Sequence, residues 1–267
     1  MGVIKDRKEA FKRINKLLED PAKVLIIHYS QAKTYDEDYA VISPIISAIV
    51  VKSLSGDLEK HFSLYYEADK ANIPIEEIEN SYRELELRNL RSFNEFVRRK
   101  KECLWVHWEM KNIHFGFEAI KHRYEKIFFE LPEEKQYEVI PDNQKLNLCK
   151  VLEDIYGEKF AENPDKLASL IKTNNNQILN NNYLTLDKEE TEFENKNHPS
   201  IIKSLDCKVD FLRKALRLLS MKRLKVVNKN YYAIFVDMVN HPFFTLIGWL
   251  ATVLAFILGI YSIFFME

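Results

Sequence analysis

Between Phe243 and Met266 this chain carries no charged residue, although charged residues make up 30% of the whole sequence. At about 1.5 Å of rise per residue, a helix of that length matches a hydrocarbon core roughly 30 Å thick. The run therefore predicts a transmembrane helix over residues 242–267. Its small and polar residues are not scattered. Thr245, Gly248, Thr252, Ala255, Gly259 and Ser262 recur at alternating spacings of three and four, which sets all six on one helical face. Ala251 is the only small residue off that stripe. Small residues let helices approach closely, and Thr or Ser hydroxyls can bond across them, so the stripe predicts a homo-oligomer. Turned toward a lumen, it would give a weakly polar, uncharged pore lining. The pattern leaves a packing seam, a pore lining and a plain anchor all open.

The remainder of the chain, about 240 residues, is enough for one domain with its own core. The net charge of −1 hides an asymmetry: residues 208–229 hold eight basic residues and a single acid, Asp210. A basic block next to a span points to the cytoplasm, which predicts a single-pass protein of the bacterial inner membrane with its soluble part inside. The expected divisions are a soluble domain over 1–207, a basic juxtamembrane linker over 208–241, and the span over 242–267. The N-terminus, MGVIKDRKEAFKR, has no apolar core region and so no signal peptide, and Arg7 spoils a lipidation site at Gly2. Three widely spaced cysteines, Cys103, Cys149 and Cys207, suit a reducing compartment better than a disulfide frame or a Cys-based zinc site.

Residues 3–18 read as an amphipathic helix, with Ile4, Phe11, Ile14, Leu17 and Leu18 near helical spacing, stopped by Asp20-Pro21. VLIIHY at 24–29 is a short apolar run expected as a buried strand. Residues 45–54 follow as a second strand, and Ser55-Gly56-Asp57 turns it into a third over 58–65. Residues 76–101 predict a long charged helix, CLWVH at 103–107 another strand, and 112–128 a further helix. This order predicts an α/β domain with a mixed sheet. From 143 onward the pattern is helical, including NQKLNLCKVLEDIYG with Gly157 at the C′ position. The Asn-rich run 174–182 reads as a polar ligand surface or as a solvated loop. Residues 201–232 predict a basic helix whose cationic face suits anionic lipid, nucleic acid or water.

LWVH leads directly into WEMKNIHFGFEAI. In DEDD-type exonucleases a strand runs into His-Asn, two variable residues, Phe-Asp and an apolar helix. On that pattern His107 matches the His and Trp108 the Asn, and Asn112 falls where the metal-binding Asp should be. VLIIHYS resembles the exonuclease strand that ends in Asp-x-Glu, with His28 and Ser30 at those two positions. The hairpin matches the second and third strands. SIIKSLDCKVDFL resembles the final helix, with Lys208 close to the expected His. Over residues 24–212 the chain resembles a bacterial family of degenerate DEDDh exonuclease-like proteins. The segments carrying this are VLIIHYSQAKTYD, SPIISAIVV, LWVHWEMKNIHFGFEAI, LCKVLEDIYGEKF and EETEFENKNHPSIIKSLDCKVDFL. The resemblance implies an RNase H-like mixed sheet with helices, then a helical extension and the C-terminal transmembrane helix.

Two-metal phosphodiester hydrolysis needs converging carboxylates, because Mg²⁺ prefers hard oxygen ligands. His28, Ser30 and Asn112 cannot supply them, and the nearby acids Asp36 and Glu109 fall off the motif positions. The expectation is a nuclease-like fold that no longer cuts, with no catalytic residues, metal or cofactor. His28, His107 and His114 lack the spacing of a metal trio. A groove without carboxylates repels phosphates less, and Lys208 adds attraction. Tyr29, Trp105 and Trp108 are able to stack bases, with core or groove wall as the alternative role of each. The candidate nucleic-acid set is thus His28, Tyr29, Ser30, His107, Trp108, Asn112 and Lys208. No phosphate-binding Gly loop and no Gly-x-Ser-x-Gly elbow is present.

A member of this family with a C-terminal span is similar to the membrane effectors of the Hailong anti-phage systems. That similarity implies a partner nucleotidyltransferase that makes single-stranded DNA oligomers. The oligomers would bind the exonuclease-like domain and hold the effector inactive. Their loss would let an oligomeric membrane channel kill or arrest the infected cell. A membrane-tethered, metal-dependent 3'-5' exonuclease using Asp36 and Glu109 is the alternative enzyme, and a tail-anchored scaffold the alternative without a ligand.

Overall fold

The computed structural model describes residues 2–32, 44–111, 115–129, 136–174, 182–229, 231, 235, 239 and 242–265. Its elements run α1 (Gly2–Glu19), β1 (Val24–Ala32), β2 (Ile45–Ser53), β3 (Glu59–Ser63), α2 (Leu64–Lys70), α3 (Tyr82–Arg98), β4 (Leu104–His107), α4 (Phe117–Phe128), β5 (Lys145–Asn147), α5 (Leu148–Tyr156), α6 (Lys166–Asn174), α7 (Leu186–Glu194), α8 (His198–Ser220) and α9 (Pro242–Phe265). The strands form one mixed sheet in the order β3-β2-β1-β4-β5. β1 pairs antiparallel with β2 and parallel with β4; β2 and β3 are antiparallel, and β4 and β5 are parallel.

β1 and β2 read as nearly unbroken apolar runs because helices cover both faces of the sheet. Side chains alternate along a strand. Val24 and Ile26 join one core cluster with Ile14, Leu152, Leu205 and Leu212, from α1, α5 and α8. Leu25, Ile27 and Tyr29 join the other, with Phe93 of α3 and Ile120 of α4. On that second face Arg123 of α4 grips Glu86 of α3 with two bonds, at 2.9 and 2.6 Å. Glu86 also accepts the backbone N–H of Ile46 at 2.7 Å, which locks both helices to β2.

Several boundaries differ from the sequence reading. The third strand ends at Ser63, whose side chain accepts the N–H of Tyr66 and caps α2. α3 begins only at Tyr82, after a 3-10 turn over Ile75–Ser81. Residues 145–147, expected as helix, form β5, and the Asn147 side chain then caps α5 by accepting the N–H of Cys149. Gly157 ends α5 at the C-cap rather than at C′, with φ 88° and ψ 166°, an extended positive-φ conformation that suits glycine but is not the left-handed helical one. α8 stops at Ser220 rather than 232; beyond it Lys222 takes φ 56°, and Arg223 N–H bonds back to Leu218 O at 2.8 Å. The expected division at 207/208 falls inside α8, where Cys207 and Lys208 are both buried.

The expected transmembrane helix is corrected. Among the described residues, no helix is long and apolar enough to cross a membrane. What the structure has there is an apolar helix with exposed side chains, among them Trp249 and Phe256.

Candidate ligand cavity

β1 and β4 run parallel, so their C-terminal ends open on the same edge of the sheet. Strand alternation then sorts the candidate residues. His28 and Trp108 emerge toward α8 and line, together with Lys208 of that helix, one cavity of about 590 Å³. Phe115 forms an aromatic part of its wall, and Tyr183 and Thr185 approach from the segment ahead of α7. Its charged lining is Glu109, Asp165, Lys166 and Asp187, besides Lys208.

Lys208 is not a free cation. Its Nζ donates to Glu189 Oε1 at 2.7 Å, with both side chains buried, and Ser204 Oγ donates to the same oxygen at 2.8 Å. The ammonium also lies 5.1 Å from the centre of the Tyr183 ring. Tyr183 Oη donates to Asp165 Oδ2 at 2.6 Å, while Asp165 Oδ1 accepts the N–H of Ala168 in the first turn of α6. Burial and the Asp165 carboxylate both raise the Tyr183 hydroxyl above its ordinary range. Lys166 is engaged as well, by Glu153 at 2.8 Å.

His28 is buried, and its Nδ1 has no hydrogen-bond partner. Burial first, then the positive charge of Lys208, holds its proton affinity well below the ordinary value, so the ring is neutral. Phe115 presents an edge to it with centroids 5.8 Å apart, and itself stacks on Tyr29 at 4.6 Å. Trp108 meets Phe160 edge-on at 6.3 Å. Glu109 accepts from Asn147 Nδ2 at 3.0 Å. Burial works against its charge, but that bond and Lys111 outweigh it and keep the carboxyl below its usual range.

The rest of the candidate set is not gathered here. Tyr29 points to the opposite face, fully buried, where its hydroxyl accepts the N–H of Gly116 at 2.9 Å; it has no free ring face for a base. His107 also turns to that side, edge-on to Phe117, and its Nδ1 accepts the N–H of Met110 at 3.2 Å. Burial pushes its proton affinity down to about 4. Ser30 is buried, and its carbonyl accepts from Ser47 Oγ at 3.0 Å. Trp105 is core. Asn112, His114, Asp36 and most of the Asn-rich run lie outside the described residues, as do the side chains of Thr245 and Ser262. Gly248, Thr252, Ala255 and Gly259 fall on α9, where Thr252 Oγ1 donates to its own helix at Gly248 O, 2.8 Å away.

Sequence reasoning missed Phe115, Asp165, Tyr183 and Glu189. Only Glu189 left a signal: it stands four residues before Phe193, and both are buried on one face of α7. Among the described residues, one group of side chains is close enough to hold a metal ion, and it lies away from the cavity: Glu59, His61 and Asp206, with ligand atoms within 4.8 Å of one another. Lys52 already supplies positive charge there, its Nζ 2.7 Å from Asp206, 3.0 Å from Asp210 and 3.3 Å from Glu59. Comparison with protein-family models, curated proteins and solved structures finds no match to this chain.

Proposed function

We propose that this chain is a non-catalytic effector of anti-phage defence that binds single-stranded DNA, is held inactive by the bound oligomer, and acts through association of its copies along α9. One observation carries the reading. His28, Trp108 and Lys208 come from three separate segments of the exonuclease resemblance, and all three line the same cavity. At the position of the first carboxylate in that resemblance stands His28, a neutral imidazole that does not supply the charge of a metal-binding carboxylate. The exposed apolar surface of α9 supports the association step, since surfaces of that kind mark sites of contact with other molecules. In this reading the oligomer comes from a partner nucleotidyltransferase.

The test is fluorescence anisotropy of the full chain with a labelled single-stranded DNA, with and without Mg²⁺, followed by a gel of the recovered DNA. Saturable binding with intact DNA is expected. Absence of binding would falsify the reading. A second reading, a metal-dependent nuclease, is favoured by Glu109, Asp165 and Asp187 lining the same cavity. It predicts Mg²⁺-dependent shortening of the DNA that is lost in Asp165→Asn.

A further inference from the structure

The charges around the cavity argue against a phosphate inside it. Its two lysines are each engaged by a buried or half-buried carboxylate, Glu189 for Lys208 and Glu153 for Lys166. Three further carboxylates, Glu109, Asp165 and Asp187, remain in the lining. A phosphate entering would give up its hydration and meet an excess of negative charge, which is costly away from bulk water.

The uncharged features of the lining point the other way. His28 is buried with an unpartnered Nδ1, and a buried polar atom left without a bond is costly. A neutral imidazole carries one donor and one acceptor, matching the mixed edge of a heterocycle. Thr185 stands at the start of α7 without making the cap hydrogen bond open to its hydroxyl. Phe115 and Trp108 add aromatic surface. A volume of about 590 Å³ falls within the range of small-molecule sites, roughly 300–1,000 Å³.

We infer that the cavity receives an uncharged nucleobase, bound through His28 and the aromatic wall, with the phosphates of the strand left outside. This rests on the DNA-binding reading above and turns its emphasis from the backbone to the base. Bases splayed from a single strand are commonly held by stacking and by hydrogen bonds to their edges.

The experiment is competition against a labelled single-stranded DNA bound to the full chain. The competitors are the unlabelled strand, an abasic strand of equal length, and each of the four free deoxynucleosides. The abasic strand should compete at least about tenfold more weakly than the base-bearing one, and at least one nucleoside should compete despite carrying no phosphate. His28→Phe, which keeps an aromatic ring and loses the polar edge, should narrow the gap between the two strands. If the abasic strand competes equally well, the base assignment is overturned while the DNA reading stands. If no strand binds but a nucleoside does, seen directly by calorimetry, the DNA reading fails and the cavity assignment survives. If neither strand nor nucleoside binds, both fall.

Discussion

Lys208 Nζ and Glu189 Oε1 lie 2.7 Å apart in the protein interior, and the pair joins α7 to α8 at the wall of the cavity. Removing two charges from water is expensive, and the pairing has to offset that. Ser204 adds a bond to the same carboxylate oxygen, while Oε2 has no partner. The pair therefore neutralises the one lysine that the sequence offered as a phosphate contact.

Removing one partner should be far worse than removing both. Lys208→Ala strands a buried carboxylate and is expected to lose about 3–5 kcal/mol, read as the shift in a urea unfolding midpoint. The double change Lys208→Met with Glu189→Leu should recover most of that loss. A single variant that loses less than about 1 kcal/mol would show that water reaches the pair.

Acid should destabilise the chain through His198. This residue is buried against Phe193, its Nε2 has no partner, and burial lowers its proton affinity to about 4. Folding therefore favours the neutral ring. That stability is fully present above the unfolded value of about 6.5 and is lost as pH falls toward 4. Between pH 8 and pH 5 the loss from this one group is about 2 kcal/mol. His107 is shifted the same way and adds to it. Unfolding curves at the two pH values should show His198→Phe losing less than the parent by that amount; equal losses would mean that the ring is charged at no cost in the fold.

The stripe on α9 has a clean readout. A methyl group placed on Gly248 or Gly259 would meet nothing within 4 Å in a single copy. Gly248→Leu with Gly259→Leu should therefore leave the melting temperature of the domain unchanged while lowering the associated fraction in sedimentation. Unchanged association would remove the small-residue face from the mechanism.

Much of the sheet was legible because its strands are short, apolar and bounded by turn residues. β1, β2 and β4 announce themselves in VLIIHY, IISAIVV and LWVH. β5 did not: KLN is too short to show alternation, and the flanking residues suit a helix, so only pairing with β4 makes it a strand. The cavity was legible in part. Motif positions pointed to His28, Trp108 and Lys208, but adjacent positions such as Tyr29 and His107 were grouped with them, although strand alternation sends these to the other face. Asp165, Tyr183 and Glu189 stayed hidden because their partners are distant in sequence, and no local pattern encodes a contact made across the fold. The C-terminal run read as a span from its length and its lack of charge, and that reading is corrected: among the described residues no helix is long and apolar enough to cross a membrane.

The path by which the chain leaves the domain has a mechanical meaning. After α8, Val227 N–H bonds to Phe160 O at 2.9 Å, and Lys225 exchanges two hydrogen bonds with Asn174 of α6. Phe160 is the ring against which Trp108 rests, and α6 begins at Lys166 in the cavity wall. The segment 225–227 is thus laced to the main chain of Phe160 and to the end of α6. Force applied at Val227 would pass to the two elements that brace the cavity wall, so the stretch after α8 and the pocket share one anchorage.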